Sequence, residues 1–194
     1  MAGKAYANRK RVEDRPEADF YRTPESLTQA LIHCNFLDPY DPVHEVGEGD
    51  GAITSVLRNA GFKVYADDIR TSELDFLTDN RLKKQICTNP PFSLFDEFVM
   101  HAQNVCTDRF VMLAKMNFFG AYNRNAMGVW NHLRHVYIFN RQVDYRTPRG
   151  KDGHFHVGNL VTGWFCWDMK WNKKHWNTSI IDVQPYATLG AYKE

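Results

Sequence analysis

The chain has 194 residues, enough for one domain with a full core and too few for two large ones. Its 43% hydrophobic and 24% charged residues are the proportions of a soluble globular fold, and no apolar run is long enough to span a bilayer, which argues against a helical membrane protein. The net charge of +1 hides an asymmetry, because residues 1–108 carry 12 Lys/Arg against 18 Asp/Glu while residues 109–175 carry 11 against 3. A basic half on an otherwise acidic chain suits a polyanion met on one side; a solvated face is the plain alternative. Cys34, Cys87, Cys106 and Cys166 are scattered without C-x-x-C spacing, and no signal-peptide pattern is present. The expectation is therefore reduced core thiols in a cytoplasmic protein, with neither a metal site nor a disulfide framework.

Residues 1–19 are polar, charged and without periodicity, and are expected to form a flexible arm before a single domain over 20–194. Lys4, Arg9, Lys10 and Arg11 in the arm suit phosphate, against which Glu13, Asp14 and Glu17 count. A helix is predicted over Glu25–Ile32, with Thr23 as N-cap, Pro24 at the first helical position, and Leu27, Ala30, Leu31 and Cys34 as its core face. The hydroxyls of Tyr21 and Thr23 could instead bind the polar end of a ligand.

Val43–Val46 reads as a strand and Ala52–Ala60 as a helix ended by Gly61. Between them, Gly47, Gly49 and Gly51 let a ligand approach the backbone closely. The spacing also fits a dinucleotide fingerprint, yet Glu45, Glu48 and Asp50 around the glycines disfavour a pyrophosphate and favour a cationic ligand. The sulfonium and ammonium of S-adenosylmethionine meet that description. Phe62–Ala66 is the next strand, ending at Asp67 and Asp68, where an acidic residue usually grips a ribose diol. Asp75-Phe76-Leu77 suits an adenine ring, or else Asp75 is a helix cap and Phe76 a core residue.

Ile86 and Cys87 belong to a short buried strand that ends in Asn89-Pro90-Pro91-Phe92. The prolines forbid continued pairing, hold Asn89 extended, and leave the Pro90 carbonyl without a local donor. Two neutral acceptors beside an aromatic face suit an exocyclic amine on a flat ring; an ordinary Asn-Pro turn is the alternative. A helix over Ser93–Val105 and a buried parallel strand over Arg109–Ala114 follow. Lys115 at that strand's end suits a phosphate or the solvent edge. Ala121–Leu133 is predicted helical, with strands at His135–Phe139, Gly163–Asp168 and Ser179–Val183. Trp164 and Trp167 read as core. The irregular stretch of about 141–160 carries Arg141, Arg146, Arg149 and Lys151 among aromatics, which suits nucleic acid.

Taken in order, Tyr21-x-Thr23-Pro24, Glu45-x-Gly47-x-Gly49-x-Gly51, Asp68, Asp75-Phe76-Leu77 and Asn89-Pro90-Pro91-Phe92 resemble the S-adenosylmethionine-dependent adenine-N6 DNA methyltransferases, most of all the small phage and prophage type. The later Gly163–Asp168 strand is similar as well. The resemblance implies a Rossmann-like class I methyltransferase fold, an α/β architecture whose mostly parallel sheet has helices on both faces. It implies that Tyr21, Thr23, Glu45, Gly47, Gly49, Gly51, Asp68, Asp75 and Asn89 line the cofactor. Asn89 and Pro90 would orient the target amine, Pro91 would fix the turn, and Phe92 would stack on the target base. Lys115, Arg141, Arg146, Arg149 and Lys151 would meet DNA, duplex or single-stranded. No metal is implied. The expected protein is a monomer or weak dimer acting in the cytoplasm, that of the host if phage-encoded, and without a large recognition domain its site specificity should be short or relaxed. RNA adenine, a protein glutamine, hydride transfer and a non-catalytic binding module are the competing readings.

Overall fold

A computed structural model describes residues 22–72, 74–140 and 161–183. Seven strands form one sheet in the order β2-β1-β3-β4-β6-β5-β7. They are β1 (Val43–Glu45), β2 (Val64–Ala66), β3 (Lys83–Thr88), β4 (Cys106–Lys115), β5 (Leu133–Phe139), β6 (Thr162–Asp168) and β7 (Asn177–Ile181). All neighbouring pairs are parallel except those made by β6, which runs antiparallel to both β4 and β5. The expected mostly parallel α/β sheet is therefore present.

The helices are α1 (Glu25–His33), α2 (Ala52–Asn59), α3 (Phe95–Val105) and α4 (Tyr122–Met127). Apolar side chains from both faces of the sheet divide into two clusters. On one side Leu27 and Leu31 of α1 and Ile53 and Leu57 of α2 pack on Val43, Cys87, Val111 and Trp164. On the other, Phe95, Phe98 and Val99 of α3 pack on Ile86, Phe110, Met112, Phe165 and Trp167. The run Phe110–Ala114 is wholly buried because β4 lies at the centre, covered on both faces. Trp164 and Trp167 are core residues, as their setting in an apolar strand suggested.

Two local expectations are corrected. Thr23 does not cap α1: Pro24 occupies the N-cap position, with ψ at 135° and no side-chain cap bond. A proline one residue further on fits the end of the extended segment as well as the first turn, and here the former prevails. The helix expected over 121–133 lasts only through Met127, because Gly128 turns left-handed at φ 81° and the chain enters a turn.

Gly163 of β6 pairs with Ile138 of β5. A Cβ there would stand 2.5 Å from the backbone carbonyl oxygen of Tyr137. Backbone cannot swing aside as a side chain can, so Gly163→Ala is expected to destabilise the fold by about 1–3 kcal/mol. Urea denaturation checks this, and an unchanged midpoint would mean that β5 and β6 can part at that point.

Candidate functional site

The carboxyl ends of β1, β2, β3 and β4 lie side by side, and the motif residues follow from them. After β1 the chain turns through Gly49 at φ 63° and Gly51 at φ 77°, left-handed values that an L side chain resists. The Gly49 amide donates to Asp68 Oδ2 at 2.8 Å, tying the turn to the end of β2. Arg22, just before α1, pairs with Asp50 of the same turn at 2.9 Å.

Glu45 closes β1 and is buried, with Thr54 of α2 donating to its Oε2 at 2.6 Å. Burial pushes its carboxyl up to about 8; Glu48 and Asp50 add to the rise and the Thr54 hydrogen bond opposes it. The unfolded chain ionises this group near 4.5, so unfolding releases a proton between there and about 8. Stability contributed here falls as pH rises through that window. Glu45→Gln should flatten the fall, which urea midpoints at pH 5, 6, 7 and 8 would reveal. Parallel pH profiles for the two proteins would refute it.

Asp68 is buried and accepts from four donors: the Gly49 amide, the Arg70 amide, and Nε and Nη2 of Arg70. Burial raises its carboxyl, but the Arg70 side chain and the two amides outweigh it and hold the group below the usual range. A ribose diol reaches this carboxylate only in place of Arg70, whose side chain is half exposed. Asp75 accepts from the Leu77 amide at 3.0 Å and caps the short 3-10 turn Phe76–Thr78. Phe76 is buried against Phe98 and His101. The capping alternative thus describes the local structure.

Asn89 follows β3. Its carboxamide nitrogen donates to Thr23 Oγ1 at 3.1 Å, a bond that spans 66 residues. The hydroxyl that does not cap α1 holds Asn89 instead. The Pro90 carbonyl accepts no hydrogen bond among the described residues, whereas that of Pro91 accepts from Leu94. Phe92 is buried, edge-on to Phe118 at 6.0 Å, and the ammonium of Lys115 stands 4.4 Å from its ring centroid. A ring that stacked on Phe92 from that side would displace Lys115.

Sequence reasoning missed Thr88, the residue before the hook. Its hydroxyl is buried, has no hydrogen-bond partner among the described residues, and lies 3.6 Å from where a Gly47 Cβ would stand. A hydroxyl on the last residue of a buried strand, directly before the Asn89 hook, was the available signal. Thr54 was missed too, and its signal was a hydroxyl within the buried face of α2. Tyr21, Arg141, Arg146, Arg149 and Lys151 lie outside the described residues.

A separate cavity of about 360 Å³ opens beside β2, lined by His44, Tyr65, Asp67, Arg81, Leu82 and Lys83. Arg81 and Lys83 are both bonded to Asp79, and no residue of the Asn89 hook lines the cavity. The glycine turn, Asp68 and Asn89 lie instead at the neighbouring strand ends.

No protein-family model matches the chain, and no curated protein matches it by sequence. Among solved structures it is similar to the methyltransferase subunit of a type I restriction-modification system from Streptococcus thermophilus, at 10% identity and a TM-score of 0.58, covering 84% of this chain and 47% of that one. A protein from Listeria monocytogenes assigned provisionally as a class I S-adenosylmethionine-dependent methyltransferase gives 9% identity and a TM-score of 0.58, over 92% and 72% of the two chains. One from Pyrococcus horikoshii assigned provisionally as an RNA methyltransferase gives 14% and 0.51, over 79% and 90%. The chain spans about half the length of the restriction-modification subunit. The fold is the Rossmann-like fold of class I methyltransferases.

Proposed function

We propose that this chain transfers a methyl group from S-adenosylmethionine to the N6 amino group of adenine in DNA, with short or relaxed sequence specificity. One observation carries the reading: Asn89 is tethered by Thr23 next to a Pro90 carbonyl that accepts no hydrogen bond among the described residues, at a strand end beside a glycine turn. A tethered carboxamide and a rigid carbonyl form a fixed pair of acceptors, which is what the two hydrogens of an aromatic amine require.

The strand ends suit the cofactor. Glu48 and Asp50 flank the glycine turn with carboxylates, Glu45 closes β1 beside it, Gly47 leaves its α-carbon bare, and the Thr88 hydroxyl has no protein partner among the described residues. Glu45, the glycine turn, Thr23 and Tyr21 would hold the amino-acid end, Asp68 the ribose and Asp75 the adenine. The bound group supplies an electrophilic methyl on a sulfonium. Asn89 and Pro90 accept the amine's hydrogens as the nitrogen pyramidalises, and so draw its lone pair out of the ring. Phe92 and Lys115 border the base, with Lys115 moving from the ring face to a phosphate as the base enters. No side chain is needed as a general base, because the amine loses its proton to water after attack. Positioning is the main contribution, and a base leaving a duplex costs a few kcal/mol in unstacking.

The test is methyl transfer from labelled cofactor to duplex DNA, single-stranded DNA and RNA in parallel, with products digested and nucleosides identified by mass. N6-methyladenine in DNA is the expected result. Label in RNA alone would keep the chemistry and change the substrate, a reading the likeness to the Pyrococcus protein also favours. Cofactor binding without transfer to any nucleic acid would sink both.

A further inference from the structure

The basic half of the sequence divides into distinct groups once folded. Arg109 donates to the Phe36 carbonyl, and Arg124 is bonded to Asp96 and the Phe118 carbonyl, so both serve the fold. Lys115 stands at the reaction end of β4. Arg134, Lys170, Lys173, Lys174 and His175 gather around residues 169–176, the crossover from β6 to β7. Because β6 is antiparallel to β4, the crossover begins at the end of the sheet remote from Lys115, about 20 Å away along a seven-residue strand.

This crossover is built, not loose. The Trp171 amide donates to the Asp168 carbonyl at 2.7 Å and its indole to the His175 carbonyl at 2.9 Å, while His132 Nδ1 donates to the Trp171 carbonyl at 2.9 Å. Arg134 and Lys173 both stand over the Trp171 ring, at 5.5 and 4.7 Å. The local acids are already neutralised, Asp168 by Arg134 and Asp108 by Lys170. Lys173 and Lys174 are exposed and make no ion pair among the described residues.

An aromatic stack also rises here from the core to the surface. Buried Phe165 packs on Phe119 at 5.0 Å, and Phe119 on Trp176 at 5.3 Å with the rings 3° from parallel. Trp176 ends the stack, 36% exposed, between Lys174 and β7. Phe119 belongs to the 3-10 turn Met116–Gly120 that directly follows Lys115. The platform is thus joined through one short turn to the strand end that carries the candidate reaction site.

We propose that this crossover is a second nucleic-acid contact, in which an unpaired base stacks on the outer face of Trp176 and its flanking phosphates meet Lys173 and Lys174. A duplex keeps its base faces inside, so a flat exposed indole beside cations fits a single strand, DNA or RNA. The proposal rests on the nucleic-acid part of the function above and not on methyl transfer. Binding measured without cofactor therefore separates the two.

The experiment is fluorescence anisotropy of the full chain with labelled single-stranded DNA, single-stranded RNA, duplex DNA and heparin, across a salt series. Trp176→Ala should weaken single-strand binding roughly tenfold, and Trp176→Phe should restore most of it. The double variant Lys173→Ala/Lys174→Ala should reduce the slope of log affinity against log salt by about 1.4, as expected for two lost phosphate contacts on a single strand. The difference between DNA and RNA arms identifies the source of the strand. Binding within twofold of wild type for both the tryptophan and lysine variants would overturn the proposal. So would an equal loss from Lys63→Ala, which removes a cation elsewhere, or a loss confined to heparin.

Discussion

Asn89→Ala should lower methyl transfer about 100- to 1000-fold, the usual cost of removing one preorganised hydrogen-bonding group from a transition state. Cofactor affinity should fall far less, since the glycine turn, Glu45 and Asp68 remain. The size of the effect follows from the tether. The Asn89 amide is fixed on Thr23 at 3.1 Å, so its oxygen is held in place before substrate arrives and needs no reorganisation during the reaction. Thr23→Val removes the tether and keeps the acceptor, and a smaller loss is expected; Thr23→Ser keeps both and should stay near wild type. Single-turnover rates at saturating cofactor, with binding measured separately by calorimetry, check the series. If Asn89→Ala kept a third or more of the wild-type rate, the proposed acceptor role would be abandoned.

Trp164→Ala is expected to cost about 3–5 kcal/mol of stability, the range for emptying a fully buried large aromatic site. Trp164 is wholly buried, and its indole donates to the Leu27 carbonyl of α1 at 2.8 Å, joining β6 to the helix across 137 residues. The same helix begins two residues after Thr23, so a loosened α1 loosens the tether on Asn89 as well. Urea denaturation should show a much lower midpoint, and cofactor affinity should weaken even in buffer, where the protein remains folded. Trp164→Phe keeps most of the packing and should cost less. A loss below about 1 kcal/mol, ordinary for an undemanding position, would mean that α1 is held by other contacts.

The sheet was legible because its signals are local. A continuous apolar run at Phe110–Ala114 needs only its own composition to declare a strand covered on both faces, and closely spaced glycines after a strand announce a turn, which Gly49 and Gly51 make at positive φ. The order of motifs likewise placed Glu45, Gly47–Gly51, Asp68 and Asn89 at neighbouring strand ends, since parallel strands joined by crossovers bring successive carboxyl ends to one edge. What lay beyond reach depended on partners far apart in the chain. Thr23 read as a helix cap from its neighbours, but its hydroxyl meets Asn89. Asp68 read as an open ligand grip, but Arg70 and Gly49 fill its lone pairs. Phe92 read as an open face, and Lys115 covers it. The basic half read as one surface, and an antiparallel strand carries part of it to the far end of the sheet. In each case the residue type settles which bonds a side chain can make. Which bond it does make depends on the groups that folding brings within about 3 Å, a hydrogen bond's reach.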